Sequence, residues 1–104
     1  DFDSAIRSYS EAIAVDNKSA VFFANRSAAH QAKAQWQKAA ADARECLSLD
    51  VNYVKGYIFL IKAQLALGNL GDAVKVLQSA PLSLLANADL AAVAATVQSE
   101  VKAA

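Results

Sequence analysis

The sequence predicts an all-α fold, a solenoid of helix-turn-helix units, and three observations lead there. First, 104 residues include only one Pro and three Gly, so few positions interrupt a helix. Second, apolar residues recur three and four apart, the period of a helix with one buried face. Third, the chain repeats itself every 34 residues. Large residues stand at Phe2, Trp36 and Leu70, small ones at Ala5, Ala39 and Ala73, and a second small series at Ala12, Cys46 and Ala80. Asp16 and Asp50 keep the same interval, closing "EAIAVDNKS" and "ECLSLDVNY" alike. Three independent series with one period mark an internal repeat.

The elements come in order along the chain. Residues 2 to 15 form a helix whose apolar row is Ala5, Tyr9, Ala12 and Ile13. Residues 20 to 33 form the next, with Phe23, Ser27, Ala28, His30 and Gln31 on rows three and four apart. From 36 to 49, Trp36, Ala39, Ala40, Ala43, Cys46 and Leu47 make one continuous face, and its small members let two helices approach closely. A helix over 54 to 67 meets "ALGNLGDAV", where Gly68 suits a left-handed stop, Asn69 an N-cap and Asp72 its capping-box partner. The helix over 70 to 79 ends because Pro81 disfavours helix at Ala80. A last helix starts near Asn87, with Asp89 in its first turn. Leu90, Val93, Ala94, Val97 and Val101 run along it as one stripe, the pattern of a solenoid cap.

Composition narrows the function. The length suits one domain, and 56% hydrophobic residues allow a core, although much of that fraction is alanine. Ten basic residues balance ten acidic ones, which argues against a bulk nucleic-acid binder. No apolar run nears the ~20 residues of a membrane span. Cys46 is alone, so no intrachain disulfide forms and a reducing cytoplasmic setting fits. His30 is the sole histidine and reads as a packing residue, and Cys46 as a small core hydrophobe. No metal-ligand spacing, phosphate loop or nucleophile-base pair is visible, so neither cofactor nor metal is expected and the chain is read as no enzyme.

A 34-residue helix-turn-helix period with these occupants resembles the tetratricopeptide repeat (TPR) family. Phe23 and Tyr57 take its first aromatic place, Ser27 and Ile61 the small one, and Phe2, Trp36 and Leu70 the bulky one. The prolines expected at the repeat ends are replaced by Asn17 and Val51, and Ile61 is large for its slot. The resemblance implies a right-handed superhelix forming a single domain over 1–104. Its parts would be the second half of a first repeat (1–19), a second repeat (20–53), a third repeat and linker (54–86), and a capping helix (87–104). On this register the first helix of the first repeat is missing, leaving the row around Tyr9 to be covered by an upstream segment, a partner or self-association.

"ANRSAAH" followed by "VKGY" is similar to co-chaperone TPR domains, which grip acidic C-terminal tails of heat-shock chaperones with a two-carboxylate clamp of five side chains. Asn25 and Lys55 match two of the five. Phe59 stands where an arginine is expected, and the other two belong to the helix this chain lacks. The first helix of each repeat lines the family's groove. Here those helices hold Arg26, Lys33, Lys55 and Lys62 and no acid, so a positive groove is expected. Lys55, Phe59 and Lys62 share one face at i, i+4 and i+7. With Asn25, Val21 and Ala28 they make the expected peptide site. The reading is a protein- or peptide-binding module, with a chaperone tail as ligand. Its rivals are a structural assembly element docking through apolar faces, and the targeting domain of an enzyme encoded beyond these residues.

Overall fold

The computed structural model describes residues 1–104, all of whose regular structure is helical. Six α-helices succeed one another: α1 (Phe2–Val15), α2 (Ala20–Ala32), α3 (Trp36–Leu49), α4 (Val54–Ala66), α5 (Leu70–Ser79) and α6 (Ala88–Ala103). A short 3-10 segment, Leu82–Ala86, joins the last two. Each helix packs on its neighbour in the chain, and α4 also meets α2 and α6. The first helices of the units therefore line up as α2, α4 and α6.

Small residues bring the helices together. Ala39, Ala43, Cys46, Ala63 and Ala73 are wholly buried along the inter-helix seams. Ser27 fills the same kind of position, and its hydroxyl donates to the Ala39 carbonyl at 2.7 Å. Ile61, oversized for this slot, is also wholly buried, because the third unit gives it a larger surround that includes Tyr57, Ala73, Leu90 and Val97.

The two inter-helix turns within the units share one design. Gly68 has φ 77°, and Asn69 N–H reaches back to the Gln64 carbonyl at 2.8 Å. Thirty-four residues earlier Ala34 has φ 56°, and Gln35 N–H reaches the His30 carbonyl at 2.9 Å. Both helices thus stop with a left-handed residue and a six-residue return bond. Asn69 does not cap α5 with its side chain, so the expected capping box with Asp72 does not form. Its amide instead donates to Gln64 Oε1 at 3.0 Å, as Gln35 Oε1 pairs with His30 Nδ1 at 2.7 Å. The side chain has been recruited to lock the turn.

α1 holds no buried residue; Ala5, Tyr9, Ala12 and Ile13 are half-buried, and the helix packs on α2. At the other end Asn87 Oδ1 accepts from Asp89 N–H and Leu90 N–H at 3.0 and 3.1 Å, fixing the start of α6. Leu90, Val93 and Val97 are buried, whereas Val101 is 48% exposed, so the expected stripe stops one turn early. No helix is long and apolar enough to cross a membrane.

Candidate functional site

Lys55, Ile58, Phe59 and Lys62 lie at i, i+3, i+4 and i+7 on α4 and form one wall of a groove of about 490 Å³. Asp89, Ala92, Val93 and Thr96, with the same spacing on α6, form the other. A second depression of about 560 Å³ adjoins it between α4 and α2. Ala28, Gln31 and Ala32 of α2, Trp36 and Leu65 line it, and Phe59 and Lys62 belong to both hollows. Phe59 is the ridge between them. Its ring packs against all three core clusters, and Gln31 Nε2 donates to its backbone carbonyl at 2.8 Å.

Of the residues expected here, Lys55, Phe59, Lys62 and Ala28 line these hollows. Asn25 and Val21 do not. They lie on the Ala28 row of α2, one and two turns toward its N-terminus, with Val21 46% exposed and Asn25 half-buried. The structure brings Lys55 and Phe59 together in one hollow, while Asn25 lines neither hollow and no hydrogen bond joins it to Lys55.

The positive charge of the groove comes from Lys55 and Lys62, the two cations on the inward row, while Arg26 and Lys33 are paired elsewhere. Arg26 turns away into the helix interfaces, where Nε and Nη2 each meet Asp42 at 2.8 Å in a bidentate pair. Its Nη1 donates to Ser10 Oγ at 3.1 Å, and the Ser10 hydroxyl donates to the Ile6 carbonyl. His30 Nε2 lies 3.6 Å from the same Asp42 carboxylate. Asp42 is 6% exposed, and a buried carboxylate demands such partners. Lys33 pairs with Asp3 of α1. Only Lys55 and Lys62 remain without an ion pair on α2 and α4.

The three residues of "KGY" serve three different surfaces. Lys55 faces the groove. Gly56 faces α3: a Cβ there would lie 2.6 Å from Leu47 Cδ2 and 3.2 Å from Cys46 Sγ. The buried Tyr57 donates its hydroxyl to the Val51 carbonyl at 2.6 Å, tying α4 to the preceding turn. Gly56, Gln31 and Asp89 were not anticipated as groove or seam residues. For Asp89 a signal was present, since 89, 92, 93 and 96 repeat the spacing of 55, 58, 59 and 62.

No family model matches the chain. Over 75 residues it is 37% identical to small glutamine-rich tetratricopeptide repeat-containing protein 2 of Saccharomyces cerevisiae, covering 72% of this chain and 22% of that protein. Serine/threonine-protein phosphatase 5 of Homo sapiens is 33% identical over 75 residues, 72% of this chain and 15% of the phosphatase. The TPR2B domain of yeast Sti1, solved in complex with pHsp70, superposes with a TM-score of 0.78. That match has 26% identity and covers 95% of this chain and 78% of the other. The chain belongs to the tetratricopeptide repeat family. The matched TPR segment is a small part of both curated relatives, under a quarter of either.

Within the TPR register, positions 34 apart pair Val21 with Lys55, Asn25 with Phe59 and Ala28 with Lys62. The groove row of α4 is therefore the groove row of α2 one repeat on. It carries two cations and an aromatic where α2 carries two apolar side chains and an amide.

Proposed function

We propose that this TPR domain is a non-catalytic module that holds an extended peptide along α2, α4 and α6, reading the peptide's terminal carboxylate. The observation that carries the proposal is the α4 row. Lys55 and Lys62, the two cations of α2 and α4 left unpaired, flank Phe59 in the groove. In this reading Lys55 and Asn25 take an anionic or main-chain group, and Phe59 packs on an apolar side chain. Yeast Sti1 TPR2B, solved with pHsp70, supports a chaperone-derived ligand; an acidic chaperone tail and a co-chaperone role in the cytoplasm are part of the proposal.

Titration of a labelled acidic tail peptide tests the row. Lys55 is exposed, so Lys55→Ala should weaken binding by about 1 kcal/mol, roughly five-fold, rather than the larger loss of a buried pair. Phe59→Arg should tighten it by adding a forked donor one turn away. Because Phe59 also packs on the core, that variant should lose stability as well, by about 1–2 kcal/mol. Tighter binding by a less stable protein is the expected signature; unchanged binding in both variants counts against the site.

A second reading rests on α1. It has no buried residue, and its apolar row Ala5, Tyr9, Ala12 and Ile13 is only half-buried. Such a face suits a structural assembly role in which an upstream segment, a partner or a second copy covers it. Sedimentation over a range of concentrations tests the self-association arm. The match to 15% of a phosphatase supports a third arrangement, in which the domain targets an enzyme joined to it.

A further inference from the structure

α6 does more than close the solenoid, because its inner row is the far wall of the groove. Leu65 and Gly68, at and just beyond the end of α4, share a hollow with Thr96 and Glu100. Asp89 and Lys55, at the other ends of the two rows, share the neighbouring one. The two helices therefore run in the same direction, and Asp89 stands at the Lys55 end while Thr96 stands at the Lys62 end. Asp89 forms no ion pair with either lysine. One end of the groove is thus doubly charged, with a free ammonium on one wall and a free carboxylate on the other. Ile58, Phe59, Ala92 and Val93 line the apolar stretch beside them.

We propose that Asp89 is the specificity-determining residue of this groove and that the ligand carries a basic side chain close to its anionic group. The inference rests on the proposed peptide-binding role and revises its ligand class, from an all-acidic tail to one with a basic side chain beside its terminal carboxylate. A run of acids brought to Lys55 also approaches Asp89, and like charges across a groove select against that partner. A Lys or Arg next to the carboxylate satisfies both walls, the anion on Lys55 and the cation on Asp89. The apolar stretch takes the side chain between them. Lys55 and Asp89 are both exposed, so each contact is of the modest, salt-screened kind, and discrimination comes from their arrangement.

The test uses two fluorescein-labelled free-acid peptides, Ser-Glu-Glu-Val-Asp and Ser-Glu-Lys-Val-Asp, with the whole chain and its Asp89→Asn and Asp89→Lys variants at low salt. Wild type should prefer the lysine-bearing peptide by about three-fold. Asp89→Asn should abolish the preference, and Asp89→Lys should reverse it by about the same factor. Asp89 lies in the first turn of α6, so circular dichroism melts accompany each variant, and Asp89→Glu should keep the preference. If both peptides bind but every variant ranks them alike, Asp89 does not select and the inference falls while the groove reading stands. If a preference for the all-acidic peptide survives in wild type, the inference is likewise overturned. If neither peptide binds any of the proteins, the groove reading fails along with it.

Discussion

Gly56 decides how close α4 comes to α3. A methyl group there must displace Leu47 and press on Cys46. Overpacking of this kind costs about 1–3 kcal/mol, while alanine returns ~1 kcal/mol of helix propensity. Gly56→Ala should therefore destabilise by about 1 kcal/mol, visible in a chemical denaturation curve; a gain in stability would show that the seam is loose. Ala34 is the opposite case, a side chain in the left-handed region at φ 56° where the next repeat has Gly68. A β-carbon there costs about 1–2 kcal/mol, and glycine's extra freedom when unfolded takes back ~0.5–1. Ala34→Gly should raise stability by about 0.5 kcal/mol, a melting shift of ~2–4 °C. The period from Gly68 points to Ala34, but the Gly56 contact was not legible in the chain. Position 22, one repeat before Gly56, is Phe22, so periodicity gave no warning of a close approach. Cys46 was legible, because Ala12 and Ala80 flank it in register and imply a small buried residue. Burial, helped by the nearby Asp50 carboxylate, pushes its thiol from 9.0 up to about 11. Tyr53 and Tyr57 are raised too, first by burial. Well below pH 9 the Cys46 thiol is protonated in both states. Above it the unfolded chain releases the proton first, so stability should fall between pH 9 and 11. Cys46→Ala should make that decline shallower, and an identical alkaline limb in the variant would contradict the assignment.

At the level of elements, the first five helix starts could be read from the period, and Pro81 and Asn87 marked the break and the last start. The 3-10 segment and the early stops at Ala32 and Ala66 could not: the segment is held by Leu84 N–H to the Pro81 carbonyl and Asn87 N–H to the Leu84 carbonyl, the stops by the return bonds to His30 and Gln64. The Arg26–Asp42 pair was equally hidden. Charge counting placed Arg26 on a groove helix, but only packing shows α3 presenting a buried carboxylate sixteen residues away. Asp42→Asn removes the charge that Arg26 and His30 share. It should cost about 1–3 kcal/mol, the worth of hydrogen bonds to a charged group, and equilibrium unfolding measures it. For α6, truncation after Ser83 uncovers the neighbours of Leu90, Val93 and Val97. At roughly 1.5–3 kcal/mol per buried side chain, less the part already buried in the unfolded chain, several kcal/mol should be lost. A melting temperature that survives the truncation would reduce α6 to a tail and remove the far wall of the groove from consideration.

Across the whole molecule a balanced charge count conceals an uneven distribution. Arg26 and Lys33 are neutralised by Asp42 and Asp3 between helices, and the two remaining groove cations bracket an aromatic on one row. Sequence showed which residues share that row. The 34-residue interval from Lys55 to Asp89 marked α6 as continuing the row, but that α6 forms the facing wall rests on tertiary packing around Ile61 and Leu90. The central claim is that this concave face recognises a peptide's terminal carboxylate, and one titration bears on it most directly. A tail peptide ending in a free acid is compared with its C-terminally amidated twin on wild type and Lys55→Ala. Wild type should prefer the free acid by about five-fold, and Lys55→Ala should lose most of that preference. Equal affinity of wild type for the two peptides would contradict the claim and leave the apolar face of α1 as the surface through which the domain acts.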